Sequence, residues 1–245
     1  MASPQPSTHA QPVIDVAFTR AGARRAEVTV VIDVLRATTT IVQALDVGYE
    51  RVLAVDSVER ARGLAGDGRR LAGEEQCVRP DGFDFGNSPS EITRPEAAEL
   101  VLATTNGAPS IVRAGELSET VMIGCLRNLD AVVATLAGRG DVQLLCAGTD
   151  GGPAVEDVYV AGRIALRLDL PRTDGALIAC AVAERFAQAR EALTAGANAA
   201  VLVREGLEPD IDWCAAESVV DDVPRLAAQV PGVATIVGSA VLSEA

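Results

Sequence analysis

Five stretches of the chain share one plan: an apolar, often β-branched run ends in a polar turn rich in Gly, Ser, Thr or Asn and passes toward a helical pattern. "VTVVIDV" (28–34) is nearly continuous in apolar residues, as suits a strand covered on both faces, and "LRATTTIVQALDVG" behind it predicts a turn entering a helix. "RVLAV" (51–55) leads to the helix-like "SVERARGLAG"; "ELVLATTNG" (99–107), "TVMIGCLRN" (120–128) and "VQLLCAGTDGG" (142–152) repeat the plan. Alternation of this kind predicts a three-layer α/β/α fold around a mostly parallel or mixed sheet. From "DGALIACAVAERFAQAREALTAGANAAVLVREGL" onward the pattern reads as helices, with Gly196 separating one helix from the next. With 245 residues, 49% of them hydrophobic, and no low-complexity linker, the expectation is one α/β domain over residues 13–245 behind a disordered tail over 1–12.

Composition removes whole classes of chemistry. All 21 basic residues are Arg, so Schiff-base chemistry and a Walker-type phosphate lysine are excluded. The only histidine, His9, lies in the tail, which argues against a histidine base or a His-rich metal site. The net charge of −13 disfavours nucleic acid and anionic membranes as partners, so an anionic ligand must find a local positive pocket. No apolar run approaches the roughly 20 residues of a membrane span, and Met1 to Gln11 lacks the pattern of a secretory signal; a cytoplasmic protein is expected. The five cysteines are widely spaced without a CxxC pair, which predicts reduced, buried thiols. Nothing in the residue pattern argues for a particular assembly, and a homodimer is the one considered.

In a parallel array, the turns that follow strands gather at one sheet edge, where open α/β proteins bind ligands and helix N-termini favour anions. Asp33 ends the first strand, Arg36 follows at three residues, and Thr38 and Thr39 stand at the helix start. That segment offers a metal ligand or nucleophile, a bidentate anion clamp and hydroxyl donors; the alternative is that Asp33 and the threonines only cap the helix. Glu74 precedes Arg79, Asp84 and the stretch "GFDFGNSP", in which Asn87 and Ser88 form a donor pair before a helix near Pro89. Ser88 and Glu91 also fit a capping box, a structural alternative for Ser88. Thr104, Thr105, Asn106 and Gly107 place two hydroxyls and an amide directly after a strand, although Asn-Gly is first of all a turn signal. Glu156 and Asp157 follow a glycine-rich turn, in a first helical turn that favours acidic residues regardless of function. The generic layout also admits a dinucleotide-dependent oxidoreductase, but "GTDGG" is not a dinucleotide fingerprint.

Together "DVLRATTTI", "GE" followed by "GFDFGNSP", "TTNG", "CAGTDGG" with "VED", and the late "DIDWC" with "DDVP" resemble the 2-phosphosulfolactate phosphatase family, in order and over nearly the whole chain. The resemblance implies a three-layer α/β fold and a Mg²⁺-dependent hydrolase that takes phosphate from 2-phosphosulfolactate, or a related 2-hydroxy-acid phosphate, on the route to coenzyme M. The motifs match at Asp33, Arg36, Glu74, Asp84, Asn87, Ser88, Thr104, Thr105, Asn106, Gly107, Glu156 and Asp157. Asp33, Arg36 and Glu74 are expected to be catalytic, and Mg²⁺ to draw its ligands from Asp33, Glu74, Asp84, Glu156 and Asp157. The substrate, a small anionic phosphate ester, is expected to meet Thr38, Thr39, Asn87, Ser88 and the TTNG residues, with Arg79 or Arg127 pairing its carboxylate or sulfonate. Direct attack by metal-activated water and a phosphorylated Asp33 both remain open, water being preferred. The alternative function is a noncatalytic anion-binding or regulatory domain.

Overall fold

The apolar runs become strands and the segments behind them become helices. In a computed structural model that describes residues 11–243, the first half comprises β1 (Ile14–Ala17), β2 (Ala26–Ile32), α1 (Ala37–Asp46), β3 (Arg51–Val55), α2 (Val58–Gly63), β4 (Arg69–Gly73) and β5 (Glu99–Ala103). There follow α3 (Gly107–Leu117), β6 (Ser118–Gly124), α4 (Leu129–Leu136), β7 (Val142–Cys146) and α5 (Val155–Ala165). A run of helices comes next: α6 (Asp174–Arg185), α7 (Ala189–Thr194), α8 (Ala197–Arg204) and α9 (Glu208–Cys214). The described chain closes with β8 (Arg225–Val230) and β9 (Val233–Val237). The tail expected over 1–12, with His9, falls almost wholly outside the described residues.

Helices cover both faces of one nine-stranded sheet, a three-layer α/β fold with strand order β1-β7-β2-β6-β8-β9-β3-β5-β4. Val28, Val30, Val31 and Ile32 of β2 are fully enclosed, as a central strand between two helical layers requires. The main core runs from these residues through Leu100 and Leu102 of β5 to Leu144 and Leu145 of β7, and a smaller cluster around Val101, Leu53 and Phe83 packs with α2. Gly196 does separate α7 from α8. No helix among the described residues is long and apolar enough to cross a membrane.

The expectation of helices to the end of the chain is corrected by β8 and β9. This hairpin turns at Pro231 and Gly232, whose positive φ suits only glycine without strain. It inserts between β6 and β3, pairing antiparallel with each. Three successive antiparallel pairings separate the parallel block β1-β7-β2-β6 from the parallel block β3-β5-β4, so the two blocks run in opposite senses. On a flat sheet their carboxyl ends would lie at opposite edges. Strand twist of roughly 20–25° per step, accumulated from β2 to β5, rotates one block against the other by on the order of 100°. The single residue pair joining β6 to β8 and the bulge between Leu226 and Ala228 loosen the seam further. The carboxyl ends of β2, β4, β5 and β7 then face one cavity.

Candidate active site

Asp33 is the first residue past β2, and its backbone opens α1. Its N–H donates to Thr38 Oγ1 at 3.0 Å, Thr38 N–H returns a bond to its carbonyl at 2.9 Å, and Ala37 N–H donates to its Oδ1 at 3.3 Å. Asp33 therefore shapes the helix start and still lines a cavity of about 460 Å³. Thr39 gives its hydroxyl to the Val34 carbonyl at 2.8 Å. Thr38 and Thr39, expected to touch substrate, are fully enclosed beneath this turn, bonded to its backbone, and do not line the cavity. The peptide between Leu35 and Arg36 is cis.

Asp157, in the first turn of α5, is buried against that same turn. Its Oδ1 accepts the Val34 N–H at 2.9 Å and its Oδ2 the Gly148 N–H at 3.1 Å, tying the ends of β2 and β7 together. Glu156 beside it is 1% exposed; its Oε1 accepts Asn198 Nδ2 at 2.6 Å, and its Oε2 is buried without a partner. Asn198 also donates to Thr149 Oγ1 at 2.7 Å, which fixes α8 over the β7 turn.

From the other block, Glu74 follows β4. Its Oε2 accepts the Cys77 N–H at 2.8 Å and its Oε1 accepts from Thr105 Oγ1 at 3.4 Å. Thr104, Thr105 and Asn106 line the cavity after β5, with Thr104 Oγ1 accepting the Ala108 N–H at 3.0 Å. At Gly107 the two blocks are in close contact. A Cβ there would stand 2.6 Å from Ala37 Cβ, 2.9 Å from Asp33 Oδ2 and 3.0 Å from Thr104 Oγ1, so only glycine lets α3 start against Asp33.

This gathering of carboxylates sets their protonation. Burial pushes Asp33 up to about 7; the Ala37 N–H bond opposes the rise, the Glu74 and Glu156 charges add to it, and Arg36 again opposes it. Burial also raises Asp157 well above the usual carboxylate range, reinforced by the charges of Asp33 and Glu156, and burial raises Glu156.

The positive counterpart is Arg36, 4% exposed and lining the cavity. Its Nη1 donates to Asp210 Oδ2 at 2.8 Å. Asp210, from α9, also accepts Ser88 Oγ at 2.5 Å and Ser90 Oγ at 2.9 Å. Ser88 thus holds the partner of Arg36 and does not itself line the cavity. The capping box considered for it does not form, because Glu91 Oε2 accepts the Gly86 N–H at 3.1 Å instead. Asn87 does line the cavity, and its Oδ1 is buried without a partner.

Three other expected residues lie elsewhere. Asp84 Oδ2 accepts the Leu71 N–H at 2.8 Å, and the Asp84 and Phe85 N–H groups return to the Leu71 carbonyl at 2.9 and 3.1 Å. Asp84 therefore serves the free edge of β4, the last strand of the sheet, rather than the cavity. Arg79 is exposed, with Nη1 3.4 Å from the Asp84 carbonyl. Arg127 stacks 4.8 Å over the Trp213 ring and donates to its carbonyl at 3.2 Å. Conversely, the lining residues Asn198, Val201, Leu202 and Arg204 all come from α8 and were not expected. Nor was Asp210. "DIDWC" was the only local signal for it.

A family model described as 2-phosphosulpholactate phosphatase matches residues 17–229. A relative from Thermotoga petrophila named "Probable 2-phosphosulfolactate phosphatase" is 37% identical over 220 residues, covering 87% of this chain and 95% of the relative. Relatives with that same name occur in Deinococcus radiodurans, 38% identical over 84% of this chain and 89% of the relative, and in Thermus thermophilus, 34% identical over 83% and 90%. A cavity rimmed by its motif residues and a match along most of its length lead to one conclusion: this chain is a member of the 2-phosphosulpholactate phosphatase family, a family of phosphatase enzymes.

Proposed function

We propose that the protein is a Mg²⁺-dependent phosphatase acting on 2-phosphosulfolactate or a related 2-hydroxy-acid phosphate. The observation that carries this reading is the convergence of Asp33, Arg36, Glu74, Asn106 and Asp157, from both halves of the sheet, on one cavity. Relatives that carry the phosphatase name support the substrate class.

The donor set suits Mg²⁺. No three His, Cys, Asp or Glu side chains among the described residues form a ready-made metal cage, and Mg²⁺ commonly takes one or two carboxylates while keeping several waters. Asp33, Glu74 and Asp157 line the cavity; Glu156 does not, and its unpartnered Oε2, which lies against Gly196, would have to turn to join them. Asp84 is left out of this ligand set. When bound, Mg²⁺ supplies the positive charge that lets these carboxylates share the cavity with a phosphate.

The remaining tasks fall to the chain. Arg36 has one nitrogen committed to Asp210, which fixes the guanidinium plane and leaves its other donors for phosphoryl oxygens. Asn87, Thr105 and Asn106 surround the ester and orient it. Asp33, raised to about 7 in the metal-free protein, would be held as a carboxylate beside Mg²⁺ and could then take a proton from an attacking water. As the phosphoryl acceptor it would act in the ionised form, and both routes require its carboxylate.

Five unpaired cysteines, four of them buried, support a reducing compartment such as the cytoplasm, and the sulfolactate product supports a place before coenzyme M. Phosphate release from 2-phosphosulfolactate and 2-phospholactate, with Mg²⁺ and with EDTA, tests the proposal. Metal-dependent release is expected. Release unaffected by chelation would remove Mg²⁺, and no release from either ester would remove the function.

A further inference from the structure

Phosphosulfolactate carries two acid groups besides its phosphate, and the chain has no lysine to meet them. The arginines that line the cavity among the described residues are Arg36 and Arg204. Arg36 is bound to Asp210 in the interior, and Arg79 and Arg127 have partners outside the cavity. Against these two cations, Asp33, Glu74, Asp150 and Asp157 also line the cavity, so a substrate of several negative charges meets a predominantly acidic wall.

Arg204 occupies a distinct position. It is the last residue of α8, the helix that already contributes Asn198, Val201 and Leu202 to the cavity wall. It lines the same cavity as Glu74, Gln76 and Cys77, and its exposure sets it at the mouth opposite that segment. Among the described residues its ion pair is with the adjacent Glu205 at 2.9 Å, and the Arg204 side chain is 69% exposed. Exposed pairs of this kind contribute little, and exchanging Glu205 for a ligand anion costs little. The Asn198 bond to Glu156 anchors the other end of the helix beneath the carboxylates. The spacing along α8 therefore sets the Asn198 anchor and the mouth-side cation about one and two-thirds turns apart.

We propose that Arg204 is the specificity residue of the cavity, pairing with an acid group of the substrate other than its phosphate. This rests on the phosphatase reading and deepens it by naming the residue that selects acidic esters over neutral ones.

The test compares wild type with Arg204→Gln and Arg204→Lys on three esters: 2-phosphosulfolactate, 2-phospholactate, and isopropyl phosphate, which has neither second acid. For Arg204→Gln, KM for phosphosulfolactate is expected to rise about tenfold or more with kcat little changed, while isopropyl phosphate is unaffected. Arg204→Lys should recover part of the loss. A loss restricted to phosphosulfolactate assigns the sulfonate, and one shared with phospholactate assigns the carboxylate. Equal effects on all three esters, or none on any, would overturn the assignment. Calorimetric binding provides an arm independent of turnover: Arg204→Gln should weaken sulfolactate by a similar factor and leave inorganic phosphate unchanged. If wild type hydrolyses no ester, the phosphatase reading fails; equal sulfolactate affinity in wild type and variant overturns the role of Arg204 by itself.

Discussion

Arg36 and Asp210 are joined at 2.8 Å across 174 positions of sequence, and both side chains are almost wholly enclosed. The pair connects the β2 turn to α9 and holds in place the one buried cation lining the cavity among the described residues. Removing one partner of a buried pair leaves the other charge uncompensated. Asp210→Ala is expected to lower stability by about 3–5 kcal/mol and to reduce kcat/KM. Denaturant unfolding and steady-state kinetics check both. An unchanged unfolding midpoint would show that Arg36 finds another partner.

Asp33 gives a pH prediction with a definite sign. Its carboxyl is near 7 in the folded protein and 3.8 is the ordinary value, so between those pH values the native state holds a proton that the unfolded state has released. The associated stability is fully present below about 4 and is lost as pH rises through about 7. In metal-free protein, unfolding free energy should fall over that window by a few kcal/mol. Asp33→Asn should flatten this slope, keep the fold and reduce kcat by on the order of 100-fold or more. A slope identical to wild type would show that Asp33 ionises normally.

At Gly107, an added methyl has nowhere to go between Ala37 and the Asp33 carboxylate. Gly107→Ala is expected to destabilise by about 1–3 kcal/mol and to displace Asp33, lowering kcat roughly tenfold or more. Wild-type kinetics in this variant would indicate that the two blocks separate easily.

Glu156 separates metal binding from folding. One oxygen is satisfied by Asn198, the other has no partner, and burial favours the neutral acid. Glu156→Gln should leave the metal-free melting temperature within about 3 °C of wild type and shrink the upward shift produced by Mg²⁺. An undiminished Mg²⁺ shift would remove Glu156 from the ligand set.

Much of the first block was legible because its strands are β-branched runs followed by polar turns. Asp33, Glu74 and Asn106 could be found one, one and three residues past strand ends. The hairpin β8-β9 was missed because "RLAAQV" is only partly buried and lacks a clear alternation, although Pro231-Gly232 carried a turn signal. Asp84 misled because an acid between glycines and phenylalanines reads as a ligand, whereas an edge strand also needs a partner for its N–H groups. Asn198 and Arg204, which line the cavity, and Asp210, which holds Arg36 from behind, could not be placed from local pattern, since only the packing of α8 and α9 brings them there.

The late hairpin also governs when the enzyme can exist. Asp33 emerges from the ribosome early and Asn106 midway, but the seam between their two halves is closed by residues 225–237. A nascent chain halted before Arg225 has both portions of the cavity and the Arg36–Asp210–Ser88 link between them but lacks the strands that join the two blocks into one sheet, so competence should arrive abruptly, near the end of synthesis.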